Sequence, residues 1–506
     1  MSEQGGPYGP GGQPNQGQGP QGWQQGPPPT GPQGWQQPTP APGQQGWQQG
    51  PPPTGPQGWQ QGPPPTQGFP AGQGQPWTGQ QPAQPTPPSS NRKPIIITAA
   101  AVVVALLAGV AVYFLAIRDS SSPVASTGAE SPQDSVTALF NTLGNSDPIG
   151  LADQLDPAEA ALFTDLNSDL ITELKRLEEL SPEASADSMT GTTIKVENLT
   201  MEDQVETIND HVQIVKLTGG TITIASDPNN IPLSDSFKEQ FGAEIDQAQP
   251  ESQTVNIADA VADNNGEPIR VATVNRDGQW YVSLFYTIAD NAVHAEGLPN
   301  PTQADIIKPE GFGKPEEAVD ALLERATKGD VRGVIALLPP DEMSVMHDYG
   351  QLIIDQSGAG ELTSEMTDLG FELGEITYDV TDVTGGKKVS FASIELTVDG
   401  QTATIVRDVA NGSVTLKADG EAPVTLDETT IDTYLDDAIG SEGLDAQGLD
   451  IVKREFKQLI GLGVVTVEVD GQWYVSPVRS VSDIFVSLMK GLEPGDIEYL
   501  VQLSGN

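Results

Sequence analysis

The sequence predicts an α+β protein: a low-complexity tail, one transmembrane helix, then two tandem domains that each place helices before antiparallel strands. Three observations carry this prediction. An uninterrupted apolar run, Ile95 to Ile117, contains no charged side chain. The residues before it are dominated by Gly, Pro, Gln and Trp, and Glu3 is the single charge between Met1 and Asn91. After it, Asp277-Gly278-Gln279-Trp280-Tyr281-Val282-Ser283 recurs unchanged as Asp470-Gly471-Gln472-Trp473-Tyr474-Val475-Ser476. An identity of that length at equivalent places signals duplication.

The tail, residues 1–94, is itself repetitive. Gly19–Thr30 and Gly55–Thr66 are the same segment, and Trp23, Trp35, Trp47 and Trp59 fall at even intervals, with Trp77 a looser fifth. Pro cannot continue a helix or donate to a sheet ladder, and Gly is costly to order. With almost no aliphatic side chains the tail is expected to be disordered. Evenly spaced Trp on a flexible chain suits weak, multivalent attachment to a cytoplasmic protein partner. A passive spacer is the equal alternative. Thr30, Thr54 and Thr66 close the Pro runs and offer phosphorylation sites.

At 1.5 Å per residue the run 95–117 reaches roughly 35 Å, enough for a hydrocarbon core of ~30 Å. Arg92 and Lys93 precede it, whereas Arg118 is followed at once by Asp119. Positive charge stays cytoplasmic. The expectation is a signal-anchored, single-pass cell-membrane protein with its tail inside and its C-terminal domains outside. A cleaved signal peptide competes, but its apolar core is shorter and has a short lead. Ala101, Ala105 and Gly109 share one helix face and could seat a homodimer.

Glu3, Arg92 and Lys93 are the only charged residues before Ile95 and sum to +1, so of the chain's net charge of −46 the part from Ile95 onward carries −47. Such a surface repels nucleic acid, which is excluded as a partner. The absence of Cys removes disulfides and thiol chemistry.

Internal similarity divides the remainder. Ser131–Leu139 matches Lys314–Leu322, and Leu155-Asp156-Pro157 matches Leu338-Pro339-Pro340. The expected boundaries are a linker over 118–130, a first domain over 131–296, a Pro-rich linker over 297–313, a second domain over 314–492 and a C-terminal tail over 493–506. Each domain opens with an amphipathic helix, Pro132–Leu143 or Pro315–Thr327, with Pro in the first turn. Further helices are expected at Pro148–Leu155 and Ala158–Leu180, and at Val331–Leu338 and Asp341–Asp355. Strands follow at Thr192–Leu199, His211–Leu217 and Thr221–Ala225, with Gly219-Gly220 as a hairpin turn. The second domain has strands at Phe371–Val380, Lys388–Val398, Thr402–Val409 and Ser413–Ala418. Helical insertions are expected at Ser234–Ala248 and Asp445–Ile460. The closing hairpins are Pro268–Asn275 with Gln279–Tyr286, and Val464–Val469 with Gln472–Val478. Asp277-Gly278 and Asp470-Gly471 supply the positive φ of their turns. Trp280 and Trp473 are expected to lock sheet to helix as core residues, with a cavity-lining role as the alternative.

Helices first, then strands ending in Val-x-x-Asp-Gly-x-Trp-Tyr-Val, resemble the nuclear-transport-factor-2-like (cystatin-like α+β) superfamily over both repeats. The whole chain also resembles actinobacterial membrane-anchored proteins with Pro/Gly/Gln-rich cytoplasmic tails. The superfamily resemblance implies a curved sheet wrapped over helices, often around a cone-shaped pocket, and no single activity. Superfamily enzymes often place an Asp with a Tyr or His inside the cone, which brings Tyr286, Tyr378 and Asp379 into view.

Residue by residue, chemistry is sparse. His211, His294 and His347 have no metal-binding spacing and no counterparts in the other repeat. The stretch 263–267 superficially resembles a calcium loop but lacks its alternating ligands and reads as a hairpin turn. No catalytic, cofactor-binding or metal-ligating residue is assigned. The expected function is an envelope binding or scaffold protein that joins a tail partner to an envelope protein or ligand. The alternative is a small-ligand carrier or enzyme using a cone pocket.

Overall fold

In each repeat, Pro in the first helical turn and a closely spaced apolar face start the chain as helix before β-branched segments take over. The computed structural model describes residues 128–144, 148–184, 191–247, 250–357, 371–398, 400–431, 433–434 and 445–504. The first repeat begins with α1 (Pro132–Gly144), α2 (Pro148–Gln154) and α3 (Pro157–Arg176). Strands β1 (Thr192–Met201), β2 (Glu206–Thr207) and β3 (Val212–Ser226) come next, then α4 (Asp235–Gln247), β4 (Glu251–Asn256) and α5 (Ile257–Asp263). The hairpin β5 (Ile269–Arg276) and β6 (Gln279–Val282) leads into α6 (Leu284–Ala295).

The second repeat has α7 (Pro315–Thr327), α8 (Val331–Ala336) and α9 (Ser344–Ser357). Its strands are β7 (Phe371–Val383), β8 (Gly386–Val398), β9 (Gln401–Asp408), β10 (Ser413–Ala418) and β11 (Val424–Leu426). Then come α10 (Ala446–Ile460), the hairpin β12 (Val464–Val469) and β13 (Gln472–Val475), α11 (Pro477–Gly491) and α12 (Asp496–Ser504).

The fold is mixed α+β, and each repeat contributes one antiparallel sheet. In the first, β3 carries β1 and β2 on one side and β4 and β5 on the other, with β6 beyond β5. In the second, β8 has β7 along one side and β9 and β12 along the other. All described residues belong to one compact unit. The linker contributes to it: Ile307 is buried, its N–H donates to the His347 carbonyl (2.8 Å), and His347 Nε2 lies 3.0 Å from the Leu338 carbonyl.

Val136, Leu139, Phe140 and Leu143 of α1 pack on one face of the first sheet, against Ile194, Val215, Leu217 and Ile222. Val212, Ile214, Ala272 and Val274 on the opposite face meet Tyr286 of α6 and Val345 and Tyr349 of α9. The first repeat's sheet is therefore covered partly by the second repeat's third helix.

Several expectations change. The closing strands do not run to Tyr286 and Val478: they stop at Val282 and Val475, and α6 and α11 begin instead. Ser283 and Ser476 cap these helices, each hydroxyl accepting from the backbone N–H three residues on. Gly219-Gly220 is not a hairpin turn but lies within the continuous β3, opposite an irregularity in β1. A Cβ on Gly219 would sit 2.7 Å from Thr200 Oγ1, so glycine serves close strand approach. The stretch 263–267 turns from α5 into β5, so it is not a strand-to-strand hairpin.

The single-pass placement is corrected as well. Among the described residues no helix is long and apolar enough to cross a membrane. The longest, α3, carries Asp165, Asp169, Glu173, Lys175 and Arg176 and buries only one face. The run 95–117, its Ala101/Ala105/Gly109 seam and the Trp repeats lie outside the described residues. The cell-membrane, signal-anchor and envelope readings are set aside.

Candidate functional site: two junctions between the repeats

The repeated heptapeptide is spent largely on architecture. Asp277 (φ 53°) and Gly278 (φ 86°) make one turn, and Asp470 (52°) and Gly471 (77°) the other. The Gln279 and Gln472 side chains accept from the Tyr281 and Tyr474 hydroxyls (3.0 and 3.2 Å). Trp280 pairs through its backbone with Ala129, and Trp473 with Phe312. Both tyrosine rings pack on glycines, Gly128 and Gly311, where a Cβ would come within 2.5 and 2.6 Å of the ring. Tyr281, Val282, Tyr474 and Val475 are the buried members. The Trp280 and Trp473 side chains are partly buried.

Behind the capping serines lies a buried glutamate in each repeat. Ser283 Oγ donates to Glu159 Oε1, and the Leu284 N–H donates to Oε2 at 2.7 Å. Ser476 Oγ donates to Glu342 Oε2 at 2.8 Å. Glu159 and Glu342 occupy matched places after Pro132 and Pro315. Burial, reinforced by nearby Asp156, pushes the Glu159 carboxyl up to about 8.

The repeats also exchange contacts reciprocally. Helix α9 of the second packs on α6 of the first, and α3 of the first packs on α11 of the second. Asp348 on α9 accepts from the Tyr286 hydroxyl at 2.7 Å, and Asp165 on α3 accepts from Arg479 Nη1 at 2.6 Å. Asp165 and Asp348 stand at matched places after Pro132 and Pro315, and Tyr286 and Arg479 at matched places after Trp280 and Trp473. Contact i to j in one direction is answered by j to i in the other, as at a two-fold interface.

One junction is packed. Asp348 also accepts from Asn209 Nδ2 (2.8 Å) and faces His211 Nε2 (2.9 Å). The rings of His211 and Tyr286, and of Tyr286 and Tyr349, meet edge to face with centroids 6.3 and 6.0 Å apart. Burial alone would raise the Asp348 pKa, but hydrogen bonds from His211, Tyr286 and Asn209 hold it below the ordinary carboxylate value. Arg276 ties in a further strand, bonding Asp156 Oδ2 at 2.6 Å and Ser344 Oγ at 3.0 Å.

The other junction is open. A cleft of ≈ 380 Å³ lies between α3, the β7–β8 turn and α11. Strand register explains it. Gln213 pairs with Thr273 and Lys387 with Thr466, which makes Gly385 the counterpart of His211. Leu166 is the counterpart of Tyr349, and Arg479 of Tyr286. Three rings are therefore replaced by a glycine, a leucine and an arginine. The walls are apolar at Leu162, Leu166, Val383 and Val486. The polar lining has four carboxylates, Asp165, Asp169, Asp382 and Asp483, against Arg479 and Lys490. Arg479 is held between Glu342 (2.7 Å) and Asp165. Burial raises the Asp169 pKa, although Thr384 Oγ1 donates to it at 3.1 Å. Asp483 is paired with Lys388, whose Nζ donates to Oδ1 at 3.2 Å and lies 3.1 Å from Oδ2.

Of the residues that the superfamily resemblance brought into view, Tyr286 belongs to the packed junction. Tyr378 donates to Asp320 at 2.6 Å, and Asp379 lies 3.6 Å from Arg407. Sequence reasoning missed Asp165, Asp348 and Arg479. Matching the two repeats position by position from Pro132 and Pro315 was the signal that would have found both aspartates. Compared with known proteins, the chain matches no family model, no curated protein and no solved structure.

Proposed function

We propose that the repeats are two tandem copies of one nuclear-transport-factor-2-like domain, fused into a non-catalytic binding unit whose ligand site is the cleft between them. The observation that supports this reading is the contrast between the junctions. One is filled by the chain's own rings, whereas its counterpart keeps the same carboxylate and an opening large enough for a small molecule. A binding role suits the lining. Arg479 and Asp165 are engaged with each other, so neither is free for acid-base work. In this reading Trp23, Trp35, Trp47, Trp59 and Trp77 add multivalent attachment to a protein partner.

The test is a ligand-observed NMR screen of small molecules against the full chain and Leu166→Tyr, which gives the open junction the ring found at its counterpart. Compounds that bind the wild type and are lost in a folded Leu166→Tyr variant place binding in the cleft. A hit list unchanged by the substitution sinks the reading.

A further inference from the structure

We infer that α12 is a pH-gated latch: it seats on the first repeat while the buried carboxyl groups of Glu179 and Glu498 share a proton, and it swings away when both ionise. Glu179 follows α3 and Glu498 belongs to α12, so the pair spans the two repeats. The two residues are 6 % and 7 % exposed, and Glu179 Oε1 and Glu498 Oε2 each lack a hydrogen-bond partner. Among the described residues Glu498 is the charged group that acts on Glu179, and no cation offsets it. The cations of the surrounding helices are committed elsewhere. Arg176 bonds Glu173 (2.7 Å) and the carbonyls of Met489 (2.6 Å) and Leu492 (2.9 Å). Arg454 bonds the Gly491 carbonyl (2.9 Å) and Asp496, and Lys490 lines the open cleft. Two neighbouring carboxyl groups removed from water resist a second negative charge, so the docked pair keeps one proton.

The seat of α12 is sensitive to charge because the helix is inside out. Leu500, Val501 and Leu503 are exposed, whereas Asp496 and Glu498 are buried. Its hold on the second repeat is polar and confined to the first turn: Asp496 pairs with Arg454, and the Tyr499 hydroxyl donates to Asp445 Oδ1 at 2.7 Å. Pro494 and Gly495 precede it, and Gly495 (φ 92°) supplies the hinge. Burial and Glu498 together raise the Glu179 pKa to about 7, and undocking returns it to the ordinary value near 4.5. Protonation therefore favours docking. The advantage is complete below the ordinary value and is lost as pH rises through about 7. A helix of 9 residues does not persist without a seat, so release is also unwinding.

The experiment is native-state hydrogen exchange of the full-length chain across pH 5.5 to 8.5, read on peptides covering α12 and corrected for the intrinsic pH dependence of exchange. Protection of α12 is expected to fall by about tenfold or more over that range. Glu179→Gln removes the titrating group and should hold α12 protection within about threefold. Glu498→Gln removes the neighbouring charge and should move the midpoint of the fall to lower pH. Glu159→Gln, which flattens the pH dependence of the whole molecule, should leave the fall in α12 intact. Far-UV circular dichroism establishes that each variant is folded. Constant α12 protection in the wild type overturns the inference. So does a folded Glu179→Gln variant that keeps the full fall, or a Glu498→Gln midpoint that does not move. A fall that disappears in Glu159→Gln also overturns it, because the loss of protection then belongs to global unfolding.

Discussion

At the scale of single residues, Glu159 is the most consequential buried group. Its carboxyl faces the first turn of α6, where the Leu284 and Phe285 N–H groups and Ser283 converge on it (2.7 and 3.3 Å for the two amides). These donors favour the anion, yet burial and Asp156 together outweigh them and the pKa is pushed up to about 8. The folded state therefore binds this proton more tightly than the unfolded chain. The resulting stabilisation is complete below the ordinary Glu value, near 4.5, and is lost as pH rises through about 8. Glu179, raised to about 7 by burial, contributes in the same direction over a narrower window. The melting temperature is expected to fall by several degrees between pH 5 and pH 9, at roughly 2–4 °C per kcal/mol. Glu159→Gln should flatten most of that slope. A variant whose melting temperature tracks the wild type across the range would remove Glu159 from the account.

At the scale of elements, the closing hairpin and the helix after it form one device built twice. Gly128 and Gly311 let the segment before each first helix lie flat on Tyr281 and Tyr474, which fixes the backbone bridges to Trp280 and Trp473. Gly128→Ala and Gly311→Ala force a methyl group into the ring face, and each is expected to destabilise the protein by about 1–3 kcal/mol in urea melts. Ser283→Ala and Ser476→Ala each remove a helix cap and a donor to a buried glutamate, with an expected loss of about 1–2 kcal/mol. Either glycine variant melting like the wild type would show that the segment rearranges freely. Much of this device was legible in the chain. Pro132 and Pro315 mark the helix starts, and Asp-Gly marks the turns. The capping role was not legible, because Trp-Tyr-Val-Ser-Leu-Phe-Tyr alternates like a strand and Glu159 lies far away in sequence. Gly219-Gly220 misled for a related reason. Two glycines spell a turn locally, whereas here they let β1 approach β3.

At the scale of the molecule, the two repeats hold each other through a reciprocal clasp, and each lends its third helix to the other. Such an arrangement predicts that neither repeat melts alone. The junctions differ in how they keep a carboxylate satisfied. At the packed one, loss of the Tyr286 hydroxyl leaves His211 and Asn209 on Asp348, so Tyr286→Phe should cost only about 1 kcal/mol. At the open one Arg479 is the shared cation of Glu342, which is largely removed from water, and of Asp165, which is partly exposed. Arg479→Ala strands those charges, and breaking a buried pair in this way typically costs about 3–5 kcal/mol. Wild-type protein is expected to unfold in urea as one transition by far-UV circular dichroism and by hydrogen exchange at β5–β6 and β12–β13. In Arg479→Ala the second repeat's hairpin should lose protection first, at lower urea than β5–β6. Separate transitions in the wild type would show that the reciprocal contacts do not couple the repeats. The ring-for-arginine exchange between Tyr286 and Arg479 would then be a local repair of packing and not the means by which the two repeats hold together while keeping one junction open.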